Sequence, residues 1–230
     1  MVLALSGAAH ASGIPVHVIF DGTAGPAVLD PYGNAVTPYQ VRIDDGTGEI
    51  TQTVTCYDNV DQIDLHDQWD AYEYSLTDVI ANGLFKSYAN AVTGYKSIGW
   101  LSAQTYSTKA QEIGLQYAIW DVFGSVNLTG LGSAGDPLSA LYAYNQYESS
   151  LTTQVTNSFV GFDFSHTLYL EPQTGAVGAS GTKQPFVFAI TPGGGNQNST
   201  PEPGTIVMLG GGLLCLLSSI GFKRFAAKRS

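Results

Sequence analysis

The sequence predicts an α+β protein: a β-sandwich or barrel carrying an inserted helical subdomain. Three observations lead there. Apolar and polar residues alternate with period two at the start, helical spacing takes over near Ser75, and alternation returns after residue 158.

Ile14 to Phe20 (IPVHVIF) and Tyr39 to Asp44 (YQVRID) alternate as half-buried strands do. DDGTGE supplies turn residues leading into Glu49 to Tyr57, whose β-branched positions suit a pleated surface, so a hairpin is expected with Cys56 at the end of its second strand. From Ser75 onward Leu76, Val79, Ile80, Gly83 and Leu84 fall at helical spacing. Residues 96–106 and 108–123 follow as two further helices, and Pro137 to Leu151 as a fourth, with Asp136 as N-cap and Pro137 at the first helical position. Phe162, Phe164 and Leu168 place a strand over 158–170; Phe186, Phe188 and Ile190 place another over 184–191. The chain contains no internal repeat.

The ends predict export. In residues 1–11, read as a truncated signal peptide, Ala9-His10-Ala11 has the small-x-small form of a signal-peptidase site. Residues 12–192 then form one extracellular domain, 193–200 (GGGNQNST) a flexible linker, and 201–230 a terminal segment. Within that segment residues 205–222 are uncharged and long enough for a transmembrane helix, and Lys223, Arg224, Lys228 and Arg229 behind them stay cytoplasmic by the positive-inside rule. In residues 1–200, five basic residues face eighteen acids, a formal charge of −13. Such a charge excludes nucleic acid as a partner, since that needs a basic footprint. With 44% hydrophobic residues the domain has enough apolar material for a core.

Cys56 is the only cysteine in the first two hundred positions, and Cys215 falls inside the presumed span. A small buried apolar residue is the plain reading of Cys56. Gln116, in IGLQYAIWDVF, shares a helical face with Ile113 and Trp120 and points into or beside the core. Its plain reading is a hydrogen-bonded core glutamine; the sharper one is that the amide has reacted. His66 beside Asp67 admits a base and orienter for a cysteine hydrolase, but no asparagine or oxyanion motif accompanies them, and a surface-loop histidine is the simpler account. The run DNVDQIDLHDQWD fits no EF-hand spacing and reads as a solvated acidic stretch, so no metal or other cofactor is expected.

Cys56-Tyr57-Asp58 at a strand end, followed by Leu115-Gln116-Tyr117-Ala118-Ile119-Trp120 on a helix, resembles the bacterial surface thioester domains over residues 48–125. The resemblance implies an internal thioester between the Cys56 sulfur and the Gln116 side-chain carbonyl, with Tyr57, Tyr117 and Trp120 excluding water. It implies covalent attachment to an amine-bearing surface or matrix macromolecule, and no turnover, hence no enzyme. In that setting His66 becomes a candidate proton shuttle for the incoming amine. Pro201-Glu202-Pro203, the apolar run and the basic tail resemble the PEP-CTERM sorting signal of Gram-negative bacteria. That resemblance implies handling by an exosortase-type membrane protease and delivery to the cell surface or exopolysaccharide matrix. A non-covalent structural component of the extracellular matrix, with no thioester, is the alternative reading.

Overall fold

A computed structural model of the chain describes residues 13–58, 63–124, 126–173 and 183–189. Six described strands close into an antiparallel barrel, and four helices lie between the fourth and fifth of them. In chain order these are β1 (Ile14–Thr23), β2 (Tyr39–Asp44), β3 (Glu49–Cys56), β4 (Gln68–Ser75), α1 (Leu76–Asn82), α2 (Ala91–Ser102), α3 (Lys109–Asp121), α4 (Ala140–Thr156), β5 (Thr167–Pro172) and β6 (Phe186–Ala189). Around the barrel the order is β1-β2-β3-β6-β5-β4, with β4 pairing back onto β1.

The hairpin expected from DDGTGE joins β2 to β3 with Asp44 opposite Glu49. Its turn is built by local side-chain acceptors: Gly46 N donates to Asp44 Oδ1 and Thr47 N to Asp45 Oδ1, each at 2.8 Å, while Gly46 takes φ +83°. β3 meets β6 through two residue pairs, Thr55 with Val187 and Cys56 with Phe186.

Three expectations need correction. The acidic stretch is not solvated to its end, because its last residues enter β4: Trp69 and Ala71 point into the barrel, and Asp70 on the outer face bonds His17 at 3.0 Å. The fourth helix starts at Ala140 rather than Pro137. Asp136 instead closes a turn, accepting from Leu138 N at 3.0 Å, and Ser139 Oγ caps the helix by accepting from Tyr142 N at 3.1 Å. That helix runs on to Thr156, and the strand expected from 158 begins only at Thr167. Ser158 and Phe159 take φ +54° and +56°, which stops the helix, and Phe159 N reaches back to Gln154 O at 2.8 Å. Phe159, Phe162 and Phe164 then pack on one another as edge-to-face rings instead of alternating along a strand.

Two apolar cores result. Val18, Val41, Ile43, Val54, Cys56 and Phe186 fill the barrel, while Tyr57, Tyr95, Ile98, Leu101, Leu115 and Ile119 belong to the helical core. Consecutive residues at a strand end point to opposite faces, so Cys56 enters one core and Tyr57 the other. α3 is buried from Glu112 through Trp120 and crosses α4 closely at Gly114. A Cβ there would stand 2.6 Å from Tyr144 N and 2.7 Å from Ala143 Cβ. Gly114→Ala is therefore expected to cost about 1–3 kcal/mol, read as a lower urea midpoint with an unchanged slope.

Among the described residues no helix is long and apolar enough to cross a membrane. The expected span 205–222, Pro201-Glu202-Pro203, the linker 193–200 and the leader 1–11 lie outside them.

Candidate functional site

Cys56 sits at the last position of β3 and is fully buried; Gln116, in the middle of α3, is 3% exposed. The two meet although sixty residues separate them. Gln116 Nε2 donates to the backbone carbonyl of Cys56 at 2.7 Å, and Cys56 Sγ donates to Asp58 O at 2.8 Å. The strand end is anchored beside them by Tyr57 N, which donates to Pro185 O at 3.3 Å. The carboxamide thus meets the cysteine through its backbone carbonyl, while the sulfur is directed to Asp58 O.

Tyr57 leads from this pair to a buried carboxylate. Its hydroxyl donates to Glu171 Oε1 at 2.6 Å, Tyr95 OH donates to the same oxygen at 2.8 Å, and Leu84 N donates to Oε2 at 2.6 Å. Glu171 is 2% exposed, and burial pushes its carboxyl above the usual range against the opposing pull of those three donors. The rings of Phe85, Tyr95 and Tyr169 pack around Tyr57 with centroids 6.2 to 6.4 Å away. Tyr57 is thereby held by both its ring and its hydroxyl.

The segment 24–38, between β1 and β2, covers the other flank. Asp30 organises it: the carboxylate accepts from Tyr32 N, Asn34 N and Asn34 Nδ2, and also from Tyr117 OH at 2.8 Å. Tyr117 follows Gln116 on α3, so this last bond ties the segment to the helix carrying the amide. A second tie lies one turn earlier, where Glu112 is hydrogen-bonded to Thr37 and Tyr106 while burial lifts its carboxyl above the usual range. For Asp30, burial alone would raise the carboxyl, but the bonds from Asn34 and Tyr117 outweigh it and hold the group below the ordinary value of 3.8. A depressed value means stability that is present above pH 3.8 and lost as pH falls through the folded value. Asp30→Asn is expected to cost about 1–3 kcal/mol at neutral pH. Its difference from the parent protein should shrink when urea unfolding is repeated below pH 3.8.

Trp120 stands one turn beyond Gln116, is 6% exposed, and packs on Tyr117 with centroids 5.4 Å apart. Its buried Nε1 has no hydrogen-bond partner among the described residues. His66 is placed differently. It lies exposed at the corner before β4 with φ +68°, its backbone N donating to Phe20 O at 2.8 Å, and the buried pair is assembled without it. Asp67, next to it, is engaged by Lys183 Nζ at 2.5 Å and by Asp64 N at 2.9 Å. That carboxylate is committed to an ion pair whose lysine side chain is fully buried.

Asp30, Glu171 and Lys183 escape a reading of the sequence. Glu171 has one signal, an acid inside the apolar strand TLYLEP, where an unpartnered charge would be costly. Asp30 has a weaker one in DPYGN, a turn-forming run.

No family model, curated protein or solved structure matches the chain.

Proposed function

We propose that the protein is an exported attachment protein that links covalently to amine-bearing surface or matrix macromolecules through a thioester between Cys56 and Gln116. The observation that carries this reading is the contact of the buried Gln116 amide with residue 56. Two weakly reactive groups combine when a fold holds them together, and such positioning supplies about 7–11 kcal/mol of a barrier. The sulfur attacks the Gln116 carbonyl carbon, the carbon–nitrogen bond breaks, and the nitrogen leaves as ammonia carrying the thiol proton. Burial of both partners keeps water from the acyl group. An amine that reaches the carbonyl expels the Cys56 thiolate and forms an amide, and the reaction happens once.

The same hydrogen bond supports a second reading, in which Gln116 merely pins α3 to β3 in a non-covalent structural component of the matrix. Intact mass decides between them. A thioester makes the secreted chain one ammonia lighter than the mass calculated for the residues it retains, and methylamine then adds to it; a mass equal to that calculated value, with no methylamine uptake, rejects the thioester.

For the terminal segment we propose the sorting role implied by Pro201-Glu202-Pro203, with the helix 205–222 removed by an exosortase-type protease. The same mass measurement tests this, since sorted protein lacks residues beyond the cleavage point.

A further inference from the structure

A cleft of 490 Å³ opens between the end of α2, the start of α3 and one face of α4, and its lining residues include neither Cys56 nor Gln116. Its volume is within the usual range of small-molecule sites, about 300–1,000 Å³. None of its lining residues is charged, on a chain whose net charge is −10. Anions would want Lys or Arg here and cations would want carboxylates, so an ionic ligand finds no counter-charge.

The lining combines rings with amides and hydroxyls. Trp100, Tyr142 and Tyr147 supply aromatic surface, and Tyr142, Gln146, Ser150 and Gln154 recur every four residues along α4. A helix face turned to a protein core would be apolar at those positions; this one offers side chains that both donate and accept.

Two further amides are already oriented. Gln104 Nε2 donates to Trp100 O at 2.8 Å, which leaves its carbonyl oxygen as an acceptor. Gln111 Oε1 accepts from Ser107 N at 2.9 Å and Ser107 Oγ at 3.0 Å, which leaves its N–H groups as donors. The Tyr147 hydroxyl donates to Thr105 O at 3.1 Å and holds that ring at the cleft. Fixed acceptors beside fixed donors suit hydroxyl groups, each of which plays both roles. Aromatic surface suits the C–H face of a sugar ring.

We infer that this cleft binds a neutral oligosaccharide. The site is separate from the Cys56–Gln116 pair, so glycan binding does not depend on the thioester reading.

The test is calorimetric titration of the full chain with cellotetraose, maltotetraose and chitotetraose. Tetragalacturonate serves as the charged control and decaproline as an extended peptide. At least one neutral tetrasaccharide is expected to saturate with a Kd below about 1 mM. Gln111→Ala and Gln146→Ala are each expected to weaken it about tenfold. Tyr142→Phe keeps the ring and is expected to lose less than Tyr142→Ala, while Cys56→Ala is expected to bind as the parent does. Saturation by none of the neutral sugars overturns the inference. Affinity that survives both glutamine changes overturns it too. Binding of decaproline or tetragalacturonate alone reassigns the cleft and overturns it as well.

Discussion

Cys56→Ala and Gln116→Ala are each expected to abolish methylamine incorporation and to show the full mass calculated for the residues retained, with no ammonia lost. Either change removes one end of the acyl bond, so the two variants should be indistinguishable in this assay. Gln116→Glu refines the test: its carboxylate keeps nearly the same shape but does not lose ammonia to a thiol under mild conditions, so the chain should fold and stay inert. The link would also close a loop of sixty residues. By analogy with a disulfide, its loss should lower stability by about 4 kcal/mol, measured by urea unfolding of each variant against the parent. Incorporation that persists in either alanine variant rejects the assignment of these two residues.

Glu171→Ala is expected to be among the most damaging single changes in the barrel. It would strip the acceptor from the buried hydroxyls of Tyr57 and Tyr95 and from the part-buried Leu84 N. Each buried donor left unmatched costs about 1–3 kcal/mol, so a total loss of about 3–5 kcal/mol is expected. Glu171→Gln retains one acceptor oxygen and should lose less. The pH dependence separates the two substitutions further. The folded carboxyl is raised above its ordinary value of 4.5, so its contribution is fully present below that pH and is lost as pH rises through the folded value. The parent's advantage over Glu171→Gln should therefore be largest in mild acid and narrow on the way to neutrality. An advantage that grows with pH would contradict this placement of the carboxylate.

The elements most legible from sequence were those defined by local chemistry. β2 runs over the residues that its alternation marks, and the hairpin follows from Asp44, Asp45 and Gly46, whose bonds are all made within a few residues. β4 was hidden because Asp70 and its acidic neighbours outweigh Trp69 and Ala71 in any local count, although those two decide which way the strand faces. The residues 158–166 misled for the opposite reason: their aromatics alternate, but positive φ at Ser158 and Phe159 turns the chain before it extends. Within the site, the nearness of residues 56 and 116 follows from no local pattern; it arises because β3 ends against α3. The partners of Asp30 and Glu171 were illegible, since Asp30 reaches Tyr117 across 87 positions and Glu171 reaches Tyr57 across 114. Single acids in a sequence carry no mark of partners so remote.

Among the described residues the barrel is joined least where β3 meets β6, by two residue pairs against four to six in every other ladder. Cys56 occupies one of those two pairs. Thermal breathing of the ring should therefore begin at this junction, with the amides of Thr55, Tyr57 and Val187 exchanging hydrogen sooner than those of β1 and β2. An acyl bond from residue 56 to α3 would act as a rivet at that point, and breaking it would loosen the ring where a released thiolate has to move.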